Sequence, residues 1–456
     1  MLGALVLPRA LTHRGLSMRL SCFLATTVLL MTACTSNSDS SLKPIKVEIV
    51  KTGQGYTLMR GGEPYAVNGA GMAVNDVERF AAHGGNSVRT WSVGRDPEKA
   101  RAWLDDAHEH GVTVAMGLSM GKERHGFDYD DEQAVAEQFE RVKEEVLRFK
   151  DHPAVLLWII GNELDHRYTN PSVWDAVNDV AEMIKDVDPY HPVTTTTAGF
   201  HPAVNEAILA RAPALDFISF QMYGSIFALQ ELLTEQDFDA PFMVTEWGAI
   251  GWWEMPKTDW DVPFETTSSE KADVFLRAYQ EVIEPLKGQI IGSYVFYWGQ
   301  KQERTPTWFG MLTEEGHKTE AVDVMQYAWT GQWPANRTPR VERLLVDGKD
   351  SSKSIVLTAG ESYDAVFDVT DPEGGSISYR WELKAESSAT SEGGDYEEPI
   401  ASLDGVIADA SAPTTVVTAP AAGKYRLFAY AVDEQQRVAH ANLPLLVVDE
   451  PVTIPN

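Results

Sequence analysis

The chain has 456 residues, 44% of them hydrophobic and 23% charged, enough for a sizeable core and for two or three domains. Sixty-seven acidic and 38 basic side chains leave a net charge of −29. Such a surface repels nucleic acid and suits a neutral partner better than a polyanion; keeping an exported protein in solution accounts for the same charge equally well. The two cysteines are Cys22 and Cys34, so the chain beyond them offers no disulfide, no thiolate nucleophile and no cysteine-held metal.

Residues 20–31 form an apolar run behind Arg19, the length of a signal core and too short to span a membrane. Residues 1–17 add nothing such a signal needs, so Met18 can serve as the start. Leu30-Met31-Thr32-Ala33-Cys34 resembles a bacterial lipobox. The resemblance implies removal of residues 1–33, lipidation of Cys34 and an exported protein held at the cell envelope by outer-membrane lipid, on the periplasmic or the surface face. Cleavage near Ala33 without a lipid is the alternative. Residues 34–44 are Ser-rich and read as a flexible tether.

Residues 45–67 alternate and carry the turn signals Gly53-Gln54-Gly55 and Gly61-Gly62, which predicts a hairpin leading into a first strand at 65–69. Short apolar strands then alternate with amphipathic helices. The strands fall at 87–91, 112–118, 155–160, 192–197, 215–221, 242–245 and 292–297. The helices fall at 74–83, 97–110, 132–149, 172–187, 202–211, 227–234, 269–286 and 318–329. Eight such units predict an α/β fold, a (β/α)8 TIM barrel over residues 45–333. A doubly wound sheet is the rival, but Asn68-Gly69-Ala70-Gly71-Met72 is a poor phosphate loop.

Residues 334–340 read as a linker. Beyond it, strands at 354–358, 362–369, 377–383, 423–432 and 438–448 predict a C-terminal immunoglobulin-like β-sandwich over 341–456. Within it the acidic, Ser-rich stretch 385–398 reads as a mobile loop, and Tyr379 and Trp381 read as core.

Barrel active sites lie at the C-terminal ends of the strands. The fourth strand ends in Gly161-Asn162-Glu163 and the seventh in Thr245-Glu246-Trp247-Gly248. Two carboxyls across a barrel mouth are what glycosidic cleavage requires: one protonates the leaving oxygen while the other attacks or activates water. Trp91, Trp247, Trp252, Trp253, Trp260, Trp298 and Trp308 fall in or near the strand-to-helix loops, where indoles can stack on sugar rings; about half of them are needed for packing. His201 follows the fifth strand and can line a subsite or start a helix. Asp165 and His166 can tune Glu163 or face solvent. No metal-binding spacing is present, and Asp128-Tyr129-Asp130-Asp131-Glu132 reads as a helix start rather than a calcium loop.

Over about residues 45–330 the chain resembles the TIM-barrel clan of retaining glycoside hydrolases, clan A or the four-seven superfamily, whose Asn-Glu after strand four and Glu after strand seven are matched by Asn162-Glu163 and Glu246. The resemblance implies double displacement with Glu163 as acid/base and Glu246 as nucleophile, their carboxyls about 5–5.5 Å apart. It implies that Asn162 bonds the sugar 2-hydroxyl, that Arg89 stands near Glu246 and favours its ionised form, that Tyr223 donates to the same carboxylate, and that Trp298 floors the −1 subsite. Within the clan, glycoside hydrolase family 158 and family 2-type barrels look most similar. A barrel followed by one immunoglobulin-like domain suggests the former, which implies endo-acting hydrolysis of β-1,3-glucan. Family 2 enzymes normally carry two β-domains before the barrel, where this chain has a hairpin. Exo-β-glycosidase, transglycosylase and a non-catalytic surface glycan-binding lipoprotein are the alternatives. The expectation is a monomer acting on β-glucan or another neutral polysaccharide with no cofactor.

Overall fold

The computed structural model describes residues 43–450 except 74, 75, 93 and 95. The signal segment, Cys22 and Cys34 lie outside the described residues. Three short antiparallel strands come first: β1 (Val47–Thr52), β2 (Gly55–Arg60) and β3 (Glu63–Pro64). Eight parallel strands then close into a barrel: β4 (Asn68–Gly71), β5 (Ser87–Arg89), β6 (Thr113–Leu118), β7 (Val155–Ile160), β8 (Val193–Thr197), β9 (Phe217–Gln221), β10 (Phe242–Gly248) and β11 (Ile290–Phe296). The closing pair sets Ser293 of β11 opposite Asn68 of β4. The helices are α1 (Val77–Ala82), α2 (Pro97–Glu109), α3 (Glu132–Phe149), α4 (Ser172–Val187), α5 (Pro202–Arg211), α6 (Leu229–Glu235), α7 (Ser268–Ala278) and α8 (Glu320–Thr330). The (β/α)8 TIM barrel read from the alternation is therefore the fold.

The strands are apolar because both of their faces are covered: every residue of β7, Val-Leu-Leu-Trp-Ile-Ile, is buried. Trp158 and Ile160 pack outward with the helices, while Leu157 and Ile159 point into the barrel with Ala115, Met243 and Tyr294. Val47 and Leu58 of the hairpin join that interior group, so the hairpin plugs the N-terminal end and leaves the other end for the site. Asp131 caps α3 by accepting from Gln133 N and Ala134 N, the helix start that the acidic run suggests. Several boundaries move, two of them with a visible counterpart in the hydrogen bonding. The first strand begins at Asn68, because Tyr65 instead sends its hydroxyl to Asn86 O (2.8 Å). The seventh helix stops at Ala278 and continues as a wider turn, with Glu284 N reaching Tyr279 O at 2.8 Å.

The C-terminal part is a β-sandwich of a three-stranded and a four-stranded sheet. One sheet holds β12 (Arg340–Val346), β14 (Ser362–Thr370) and β16 (Thr414–Thr418). The other holds β13 (Ile355–Thr358), β15 (Ser378–Ala385), β17 (Gly423–Val432) and β18 (Val438–Val448). The sequence pattern hides β12, which starts within the stretch read as linker, and β16. Trp381 is buried between the sheets and Tyr379 packs at the edge of that core.

The sandwich joins the barrel through buried polar groups. Arg426 of β17 reaches Pro263 O (2.9 Å), and His440 N of β18 donates to Ser268 Oγ (2.9 Å). Beside them Lys271 of α7 donates to Glu265 Oε1 (2.5 Å) and Thr307 O (2.7 Å). Burial alone would raise the Glu265 carboxyl, but Lys271 and Arg426 outweigh it and hold it down at about 2. Glu265→Ala leaves Lys271 buried and uncompensated, and is expected to cost about 3–5 kcal/mol in urea denaturation at pH 7. The depressed value means that the stability tied to Glu265 is present above its ordinary 4.5 and is lost as pH falls from there toward 2; the difference between wild type and variant should shrink over that interval.

Candidate active site

The C-terminal barrel end opens into a cavity of about 840 Å³ whose walls include Asn162, Glu163, Glu246, Trp91, Gln221 and Tyr223. Glu246 is aimed by a break in strand register. Both neighbours of β10 slip past Val244, so that Glu246 pairs with Gln221 on one side and Trp247 with Val295 on the other. A bulge of this kind re-aims a side chain where a regular strand would not. Glu163 lies three residues after β7 with φ 50°, the left-handed region that a non-glycine residue adopts at a cost. Its N–H bonds Thr196 O (3.0 Å) and its carbonyl accepts from His166 N (3.1 Å), which fixes the turn. Next to it the Asp165 carboxylate accepts from Ala198 N (2.9 and 3.2 Å) and ties the turn to the loop after β8.

The two carboxyls have unlike surroundings. Glu246 is 5% exposed and accepts four hydrogen bonds. Oε1 takes one from the Arg89 guanidinium, one from Trp91 Nε1 (2.8 Å) and one from Gln221 Nε2 (2.9 Å). Oε2 takes one from the Tyr223 hydroxyl (2.8 Å). This donor set suits a carboxylate anion. Arg89 and Gln221 also donate to Asn162 Oδ1, which leaves the Asn162 amide nitrogen as the group it can offer to a ligand. Glu163 has no such shell. Protein surrounds it inside the cavity, and desolvation together with the negative charge of Glu246 pushes its carboxyl up to about 8, against the pull of Lys122. Tyr223 is pushed well above its usual value by burial and the same charge, so it remains a donor.

Of the residues singled out in the sequence, Arg89, Trp91 and Tyr223 donate to Glu246, Arg89 also donates to Asn162, and Trp91, Asn162, Glu163, His166, Tyr223, Glu246, Trp252 and Trp253 line the cavity. Others are absent from that wall, Trp247, Trp260, Trp298, Trp308 and His201 among them. Trp298 is fully buried with its ring against Phe80 of α1 (5.1 Å) and His83 (5.9 Å), and Tyr297 takes the wall position, its ring 5.9 Å from Trp91. Trp247 faces α7, 6.0 Å from Phe275, because it follows Glu246 on a strand whose neighbours point to opposite sides. His201 is exposed at the start of α5, its Nε2 beside Ala198 O (3.3 Å). Gln221 escapes a motif search. Its signal is positional, since it ends the sixth barrel strand and pairs there with Glu246 of the seventh.

The acidic stretch read as mobile is instead built into the wall as a strap over residues 389–397. Arg304, after β11, donates to Ala389 O and, through Nη2, to Ser391 O (2.9 Å), and Arg304 N donates to Glu397 Oε2 (2.7 Å). Lys301 Nζ donates to Gly394 O (2.9 Å). From the loop after β6, Arg124 donates to both oxygens of Asp395 (3.1 and 3.2 Å) and to Glu392 O (2.7 Å). From the loop after β7, Arg167 donates to Glu392 Oε1 (2.6 Å), and His166 Nε2 lies 3.2 Å from Oε2. Trp252, its ring 4.0 Å from the Arg304 guanidinium, and the half-exposed Trp253 also line the cavity. Among the described residues no cluster of three or more His, Cys, Asp or Glu side chains is arranged to hold a metal ion.

Residues 69–251 match the family model described as glycosyl hydrolases family 2, TIM barrel domain, a stretch that contains Asn162, Glu163 and Glu246. Among curated proteins, a β-galactosidase of Enterobacter cloacae is 24% identical over 187 residues, 40% of this chain and 15% of that protein. The chain thus spans a small part of the curated relatives it matches. Among solved structures, a Bacteroides uniformis β-glucuronidase superposes with TM-score 0.49 at 15% identity, over 88% of this chain and 48% of that one. A family 5 mannosidase of Rhizomucor miehei does so with TM-score 0.48 at 13% identity, over 63% of this chain and 97% of that one. By the family model, residues 69–251 are similar to the TIM barrel domain of family 2 glycosyl hydrolases.

In a carbon-13 NMR titration of glutamate side chains, the Glu163 carboxyl is expected to titrate near 8. In Glu246→Gln it should titrate lower, because the neighbouring negative charge is gone.

Proposed function

We propose that this protein is a retaining glycoside hydrolase of β-linked glycans. The observation that supports the reading best is the divided environment of two glutamates lining one cavity: Glu246 held by four donors, Glu163 desolvated and raised to about 8. One is set up to be an anionic nucleophile and the other to be protonated at neutral pH, the split that acid/base chemistry needs. Glu246 attacks the anomeric carbon while Glu163 protonates the departing oxygen. A covalent glycosyl-enzyme forms, and Glu163, now a carboxylate, takes a proton from the water that releases it with the anomeric configuration retained. Arg89, Trp91, Gln221 and Tyr223 hold Glu246 in place, and the Asn162 amide is free to bond the 2-hydroxyl. The matched family model supports the reaction class.

For the substrate we propose a neutral polysaccharide, with β-1,3-glucan cut internally as the first candidate and a chain-end β-glycosidase as the second. Neutrality is supported by the charge balance of the wall, where Glu303, Glu392 and Asp395 are paired with Lys301, Arg167 and Arg124. A screen of laminarin, β-1,4-glucan, mannan, galactan and aryl β-glycosides, with product sizes followed over time, decides linkage and mode of attack. Binding of one of these glycans with no release of reducing ends would overturn the hydrolase reading in favour of a binding protein.

Glu246→Ala is expected to lose roughly 10⁴-fold or more of kcat, and Glu163→Gln about 10²–10⁴-fold on substrates with poor leaving groups. Proton NMR of the first-formed product should show the β anomer. Because Glu163 must be protonated to act as the acid, kcat/KM is expected to fall as pH rises through about 8.

The lipobox-like segment supports envelope anchoring through Cys34 as part of this proposal. Cys34→Ser should shift the expressed protein from the membrane to the soluble fraction and abolish palmitate labelling.

A further inference from the structure

We propose that the strap of the β-sandwich, with Glu392 and Asp395, forms the subsite for the sugar that leaves. This rests on the hydrolase reading above and deepens it.

The barrel order places β11 and β7 opposite each other, with β4, β5 and β6 between them on one side and β8, β9 and β10 on the other. The strap is gripped at both places: by Arg304 and Lys301 after β11, and by His166 and Arg167 after β7. Its residues Glu392 to Asp395, which take part in these grips, line the cavity. The strap thus reaches from one side of the mouth to the other as a continuous wall supplied by the C-terminal part of the chain.

Its position relative to the two glutamates says which half of a substrate it meets. Glu392 is bonded to the side chains three and four residues beyond Glu163, on the turn whose backbone closes from His166 N to Glu163 O (3.1 Å). The donors around Glu246 come instead from the ends of β5 and β9 and the residues just after them, and among the described residues the strap bonds to none of them. In double displacement the atom that takes the Glu163 proton belongs to the leaving group, so the space beside Glu163 and away from the Glu246 shell is where the leaving sugar lies. The chemistry of the wall fits a neutral polyol. The Glu392 and Asp395 carboxylates have lone pairs to accept hydroxyl hydrogens, and Lys122 in the same wall can donate. The strap is also held at close quarters. Gly393 has φ 57°, the left-handed region that glycine adopts without strain, and its backbone passes beside the Arg124 guanidinium.

The test compares leaving groups. Laminaritriose, cellotriose, β-1,4-mannotriose and β-1,4-galactotriose are each paired with the 2,4-dinitrophenyl β-glycoside of the same sugar, and the pair that the wild type turns over fastest is read. Dinitrophenolate departs with neither a proton nor a sugar subsite. Glu392→Ala and Asp395→Ala are expected to lower kcat/KM on the trisaccharide roughly ten-fold more than on the dinitrophenyl glycoside, the loss of one or two hydrogen bonds to a charged group. Transfer of the glycosyl unit to an added sugar acceptor should fall in parallel. Equal losses on both substrates would overturn the proposal, placing the strap on the other half of the substrate or leaving it a purely structural part; no loss on either would overturn it as well. Dinitrophenyl turnover reports folding, and E392Q and D395N, which keep the side-chain shape, give the same ratio if the alanine variants do not fold. If the wild type cleaves none of the pairs, the hydrolase reading itself has failed, which is a separate result from a strap variant that loses no selectivity.

Discussion

A carboxylate set among aromatic rings at the mouth of a barrel is tolerable only if hydrogen bonds replace the water it has lost. Glu246 meets that condition with Arg89, Trp91, Gln221 and Tyr223. These residues come from two strands that the barrel order separates and from the short loops that follow them, so the site exists only when the barrel is closed. The same anion then acts on its neighbour: within one cavity, its charge and the loss of water keep the Glu163 proton on at neutral pH. Arg89 ties the two together by donating to both Glu246 and Asn162, the residue just before Glu163.

The β-sandwich takes part in this arrangement. Its β17 and β18 pack on the α7 side of the barrel through a buried Lys271–Glu265 pair and Arg426. That fixed base lets the loop between β15 and β16 reach back over the mouth. The arginines and histidines that grip the strap sit in barrel loops, while the carboxylates they hold come from the sandwich. The acidic bias of that stretch, which suggests a solvated loop when read alone, is the complement of a basic rim that belongs to another part of the chain.

Several residues show where reading a sequence stops. Arg89, Asn162, Glu163, Tyr223 and Glu246 were legible because they end barrel strands or directly follow them, and the period of strand and helix says which end of a strand faces the site. Trp247 and Trp298 carry the same kind of positional cue, yet both face the surrounding helices. Whether a residue one step past a strand turns inward or outward depends on local backbone rotation, which the pattern of residue types does not encode. Gln221 and Tyr297 are the mirror case: nothing in their type marks them, and only their neighbours do. In the sandwich, β12 and β16 were hidden because edge strands with one wet face carry a weak alternation.

From the order of apolar runs and helical periods alone, the chain determines a barrel with eight units, a β-sandwich after it, and two acids at the ends of the fourth and seventh strands. These follow from local periodicity, which each segment carries within itself. Only the tertiary structure decided that four donors converge on one of those acids, that the other stands beside it without such a shell, and that a loop some 230 residues beyond Glu163 walls the cavity they share. Those are through-space relations between segments far apart in sequence, and burial and charge acquire their values only once the segments are brought together.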